Sequence, residues 1–240
     1  MSAIVTLSKQ FEQFTQLAFY NQPVLAQQLD AVQQWQKQRM QRMHQPLFSQ
    51  LQYQRLASFL LDRLYNMHDL NELAKQLEKA LKEKIKLDRF LPEGVLSAAI
   101  SAFRLAYLTL KLDEQVAQYL LDQGITIVDD NSVHHAMLAL QQYNARLKQL
   151  VLLRQLSQAL QHYGHSFFTQ SAFRLARRTA YRREFNFLYD YLVDAFAAIR
   201  STDHSNIFFE QFITGETQVL QRIYQGHPMP FGQNCQFAQA

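Results

Sequence analysis

Residues 133–163 read VHHAMLALQQYNARLKQLVLLRQLSQALQHY, and this stretch decides the fold class. Leu138, Tyr143, Leu147, Leu150 and Leu156 recur largely at helical spacing rather than in the alternation of a strand. No glycine or proline interrupts the run before Gly164. The pattern predicts one long helix over about 133–163, entered from the polar string Asp129, Asp130, Asn131 and Ser132.

The same periodicity extends outward in both directions, punctuated by only 6 glycines and 5 prolines. Toward the N-terminus, Phe11, Phe14, Leu17 and Ala18 predict a helix over about 6–20, Pro23 opens a second, and Gln45-Pro46 closes it and starts a third. Asp69 and Glu72 read as a capping box ahead of Leu70, Leu73, Leu77 and Leu81, with Lys and Glu spaced for ion pairs over about 78–88. A fifth helix follows Leu91-Pro92-Glu93-Gly94, and a junction near Leu112-Asp113 leads to a sixth that Gly124 caps.

Ile125 to Val128 is strand-like but has no partner, so it reads as a buried connector. Toward the C-terminus, one helix begins near Ser166 or Thr169 and runs toward Ile199, and a last one covers about 206–224, ended by Gly226-His227-Pro228. The expectation is an all-α, single-domain multi-helix bundle of about eight or nine helices, with no significant sheet. That domain spans residues 1–228, and 229–240 form an irregular tail.

Composition narrows the function classes. The 240 residues carry a net charge of +4, too modest to specify nucleic acid, and 33 glutamines make many polar faces neutral. The start lacks a basic signal region, no apolar run approaches the roughly 18 residues of a membrane span, and the one cysteine, Cys235, lies in the tail. A cytoplasmic protein without a disulfide is expected; the oligomeric state is open.

The strongest local anomaly lies between Phe173 and Arg183, with five arginines and no acid before Glu184. On a helix, Arg174, Arg177, Arg178 and Arg182 gather on one side with Tyr181 and Phe185 among them, opposite Phe173, Ala176, Ala180 and Phe187. None of the four has an acid three or four residues away. Their counter-charge must come from another helix, a ligand or water, and arginine forks beside aromatic faces suit acidic groups.

Metal and cofactor signals are weak. No Glu-x-x-His occurs, which disfavours a di-iron bundle, and the pairs His134-His135 and His162/His165 fit surface and helix-end roles. Neither a metal nor a cofactor is predicted.

The string Phe59-Leu60-Leu61-Asp62-Arg63-Leu64-Tyr65 resembles the signature of the bacterial FFLEELY-motif proteins. Leu112-Asp113, a Phe-rich stretch near Phe187 to Phe196, Glu216 and Pro230-Phe231 resemble the remainder of that pattern in order, so the likeness covers about 52–231. Leu60, Asp62 and Arg63 depart from the signature, and Arg63 reverses a charge. The resemblance implies one coherent domain, brings no activity with it, and singles out Phe59, Asp62, Tyr65, Asp113 and Glu216. Read physically, Asp113 suits a helix cap, and Glu216 suits equally an ion pair with one of the orphan arginines or acid-base chemistry. Asp62 and Tyr65 either pack beside the core or line a cavity.

Three functions follow in order. The first is a non-enzymatic binding or regulatory protein whose Arg174 to Arg183 face contacts an acidic partner, protein or otherwise. The second is a bundle binding an acyl or isoprenoid ligand, an anionic small molecule whose head reaches those arginines at the mouth of an aromatic cavity. The third, a helical enzyme resembling haem oxygenases, requires a polar cluster inside the bundle.

Overall fold

The computed structural model describes residues 11–82 and 93–232. Among them every regular element is helical and there is no strand, giving an all-α bundle of about nine substantial helices. After a short helical turn at 11–15, the elements are α1 (Pro23–Met43), α2 (Gln45–Phe48), α3 (Gln54–Ser58), α4 (Met67–Lys82) and α5 (Glu93–Asp122). Then come α6 (Asp130–Leu140), α7 (Tyr143–Gly164), α8 (Phe167–Arg182), α9 (Asn186–Ile199) and α10 (Ser205–Tyr224). Glu83, Lys84 and Asp88 of the expected ion-paired stretch, the first ten residues and Cys235 lie outside the described residues.

Several predicted boundaries hold for the reasons given. Pro23 occupies the first turn of α1, where its missing N–H costs no hydrogen bond. Gly124 adopts a φ of 67°, and the Ile125 N–H closes the end of α5 on the Leu120 carbonyl at 2.8 Å. Asp129 caps α6 by accepting from the Ser132 N–H at 2.8 Å, while Ser132 Oγ accepts from the Asp129 N–H at 2.9 Å.

Other boundaries need correction. The predicted helix over 133–163 is two, because Gln141 turns left-handed at φ 51° between them. The helix expected to reach Ile199 breaks where Glu184 takes φ 61° and Phe185 folds into the core, so Phe185 leaves the arginine face and Phe187 belongs to the next helix. The junction at Leu112-Asp113 does not exist: Leu110, Leu112, Val116 and Leu120 keep one apolar stripe, and α5 runs straight through it. The box at Asp69 is replaced by Asn66, whose Oδ1 accepts from the N–H groups of His68 and Asp69 at 3.0 and 3.3 Å.

The long α5 packs along α1 and α7, and α7 along α10. Close approach at the end of α7 depends on Gly164, where a methyl group would stand 3.3 Å from both Phe196 and Ile199. The buried apolar residues form two clusters. One gathers Leu29, Val32, Trp35, Leu110, Leu120, Val219 and Ile223; the other gathers Leu56, Leu60, Leu156, Phe196, Phe208 and Phe212. Along α10 the change of cluster falls between Ile213 and Val219, and Glu216 sits at that seam.

Candidate functional site

At the seam the bundle holds a charged centre. Arg39 of α1 makes a two-pronged bond to Glu216 of α10, Nη1 to Oε1 at 2.8 Å and Nη2 to Oε2 at 2.7 Å. His44 Nε2 lies 2.7 Å from Glu216 Oε1, and Arg39 Nε donates to Gln36 Oε1 at 3.0 Å. Beside this pair, Arg146 of α7 donates from Nη1 to Asp113 Oδ1 at 2.9 Å, and the Tyr65 hydroxyl donates to Asp113 Oδ2. Arg39, His44, Asp113 and Arg146 are all buried, at 5%, 1%, 0% and 4% exposure.

Burial and pairing act against each other here. Burial alone would raise the Glu216 carboxyl, but Arg39 and His44 together hold it well below the usual carboxylate range. Burial would likewise lower the Arg39 guanidinium, and Glu216 more than reverses it. Burial pushes the Tyr65 hydroxyl far up, and the charge of Asp113 pushes it in the same direction, so Tyr65 stays a protonated donor.

The centre borders a cavity of about 90 Å³. Its polar wall includes Arg39, Tyr65, Thr109, Arg146, Gln149 and Glu216, and most of the remaining wall is aliphatic. The Nε and Nη2 of Arg146 are buried without a hydrogen-bond acceptor.

Tyr65 therefore lines a cavity, whereas Asp62 does not: it is exposed and bonded to Lys37 and Ser58, with Lys37 holding its carboxyl below the ordinary value. Phe59 is buried against Tyr191, with ring centroids 5.6 Å apart. Over Phe59–Leu64 the helix widens to π geometry, and the Tyr65 N–H reaches the Leu60 carbonyl five residues back at 3.0 Å. Arg63 bridges Asp69 and Asp194 at 2.8 and 3.3 Å, a fastening role for the residue that reverses the signature's charge. Asp113 is no cap, and Glu216 pairs with Arg39 rather than with an arginine of α8.

The α8 face is the opposite case. Arg174, Arg177, Arg178, Tyr181 and Arg182 are all exposed, and none of the four arginines forms an ion pair with a described residue. The two acids that follow are committed elsewhere: Glu184 to Lys79, and Asp190 as acceptor from the Tyr181 hydroxyl at 2.9 Å. The Arg177 guanidinium stands 5.5 Å from the Tyr181 ring centroid. None of these arginines lines the central cavity. No group of three or more His, Cys, Asp or Glu among the described residues could hold a metal ion.

Sequence reasoning missed Arg39, His44 and Arg146. A signal was present for the arginines, since each falls in phase with an apolar stripe: Arg39 between Trp35 and Met43, Arg146 between Tyr143 and Leu150.

Fold and site together define an all-helical bundle built around a buried double ion pair. The chain belongs to the family described as a domain of unknown function (DUF8198), which matches residues 16–230 and so includes both the charged centre and the α8 face. No curated protein and no solved structure matches the chain.

Proposed function

We propose that this protein is a non-enzymatic helical binding protein whose α8 face receives an acidic protein partner. One observation carries the reading. Arg39, Arg42, Arg63, Arg146 and Arg154 each have a carboxylate within 3.3 Å, whereas the four clustered arginines of α8 have none among the described residues, and unlike Arg55, Arg104 and Arg200, which also lack one there, they gather on one face of one helix. Leu175, 81% exposed, and Tyr181, 45% exposed, lie on the same face. Arginine and tyrosine around an exposed aliphatic side chain is the composition of an interface centre, and the clustered positive charge selects an acidic surface.

Replacing Arg174, Arg178 and Arg182 together with glutamine tests this. Glutamine keeps helix propensity, so the melting temperature stays native-like while capture of acidic proteins from host lysate is lost. Unchanged capture by the triple variant refutes the reading. Capture of nucleic acid in place of protein replaces it with a polyanion site, which a steep salt dependence would identify.

A further inference from the structure

The central cavity carries a second inference, independent of the α8 face. A guanidinium presents five N–H donors, and Arg146 uses only its Nη1 on Asp113. Its Nε and Nη2, which together form one flat edge, are buried with no acceptor. Buried donors on a charged group are rarely left so.

The acids nearby are already engaged. Asp113 takes Arg146 on one oxygen and Tyr65 on the other, and Glu216 takes Arg39 on both oxygens and His44 on one. Thr109 Oγ accepts from Gln149 at 2.7 Å. What is missing from this network is an acceptor with two parallel oxygens at the Arg146 edge.

We propose that the cavity is the binding site of a small monocarboxylate with a short aliphatic body, its carboxylate on the Nε and Nη2 edge of Arg146. A carboxylate matches that edge with two parallel bonds. The wall formed by Leu60, Leu105, Leu150, Leu153 and Val219 matches an aliphatic body, and about 90 Å³ excludes a long chain. Glu216 does not repel the incoming charge, because Arg39 already neutralises it. Inorganic phosphate could use the same edge but leaves the aliphatic wall without a partner.

Calorimetric titration of the full chain with acetate, butyrate, hexanoate and inorganic phosphate tests the assignment. Saturable one-site binding is expected, tightest for butyrate or hexanoate, with a matching rise in melting temperature. Arg146→Lys keeps the charge beside Asp113 but lacks the flat edge, and should weaken binding by roughly tenfold or more. Leu150→Phe, which fills the cavity and leaves Arg146 intact, should abolish binding while circular dichroism stays helical, so the test survives if Arg146→Lys does not fold. No binding of any carboxylate at millimolar concentration, tighter binding of phosphate than of all three carboxylates, or binding unchanged in the folded variants overturns the proposal.

Discussion

Arg146 at the centre of the bundle and Arg178 on α8 are the same side chain in opposite surroundings. Arg146 is 4% exposed and shares Asp113 with Tyr65; Arg178 is exposed and meets no acid among the described residues. Desolvation explains the contrast. Removing a charge from water carries a penalty of several kcal/mol per ion, so a buried guanidinium persists only with a partner, while a hydrated one needs none. Pairing at the centre is thus a condition of folding, and its absence on α8 leaves those charges available to another molecule.

The largest test of this contrast is Glu216→Ala, which strands Arg39. A loss of about 3–5 kcal/mol is expected, lowering the melting temperature by roughly 6–20 °C in a chain of this size. A loss under about 1 kcal/mol would mean that Arg39 is not desolvated as described.

Titration approaches the same bond from another side. The folded Glu216 carboxyl is held below its ordinary 4.5, so its stabilising contribution is complete above that value and is lost as pH falls below it. Melting temperature should therefore decline from about pH 5 downward, and Glu216→Gln should flatten that decline.

Tyr65→Phe removes one donor from Asp113 without removing its counter-charge. A smaller loss is expected, about 1–3 kcal/mol in a urea titration. The smallest effect belongs to the surface. The triple glutamine variant of α8 should shift stability by no more than about 1.5 kcal/mol, because exposed substitutions rarely exceed about 0.5 kcal/mol each. A collapse of that variant would erase the distinction between the two arginine sets.

Much of the fold was legible because apolar residues kept helical phase, as from Leu70 through Leu73 to Leu77, and because Pro23 and Gly124 act locally. The breaks at Gln141 and Glu184 were not, since both residues adopt left-handed backbone that neither composition nor spacing demands. The centre was half legible. Asp113 lies three residues from Leu110 and Val116, and Glu216 four from Phe212 and Leu220, so each charge interrupts a buried stripe. Which charges meet was hidden, because Arg39 and Glu216 are 177 positions apart and only packing brings them together.

The π turn over Phe59–Leu64 also has a meaning for sequence length. Such a turn is equivalent to an α-helix carrying one inserted residue, and each residue advances a helix by about 100°. The phenol of Tyr65 is aimed at Asp113 by that added increment as much as by its own chemistry. A relative lacking one residue here would keep the same hydrophobicity and the same tyrosine, yet present the ring on a different side of the helix. Alignments across this segment should therefore be judged by the placement of gaps before the identity of letters.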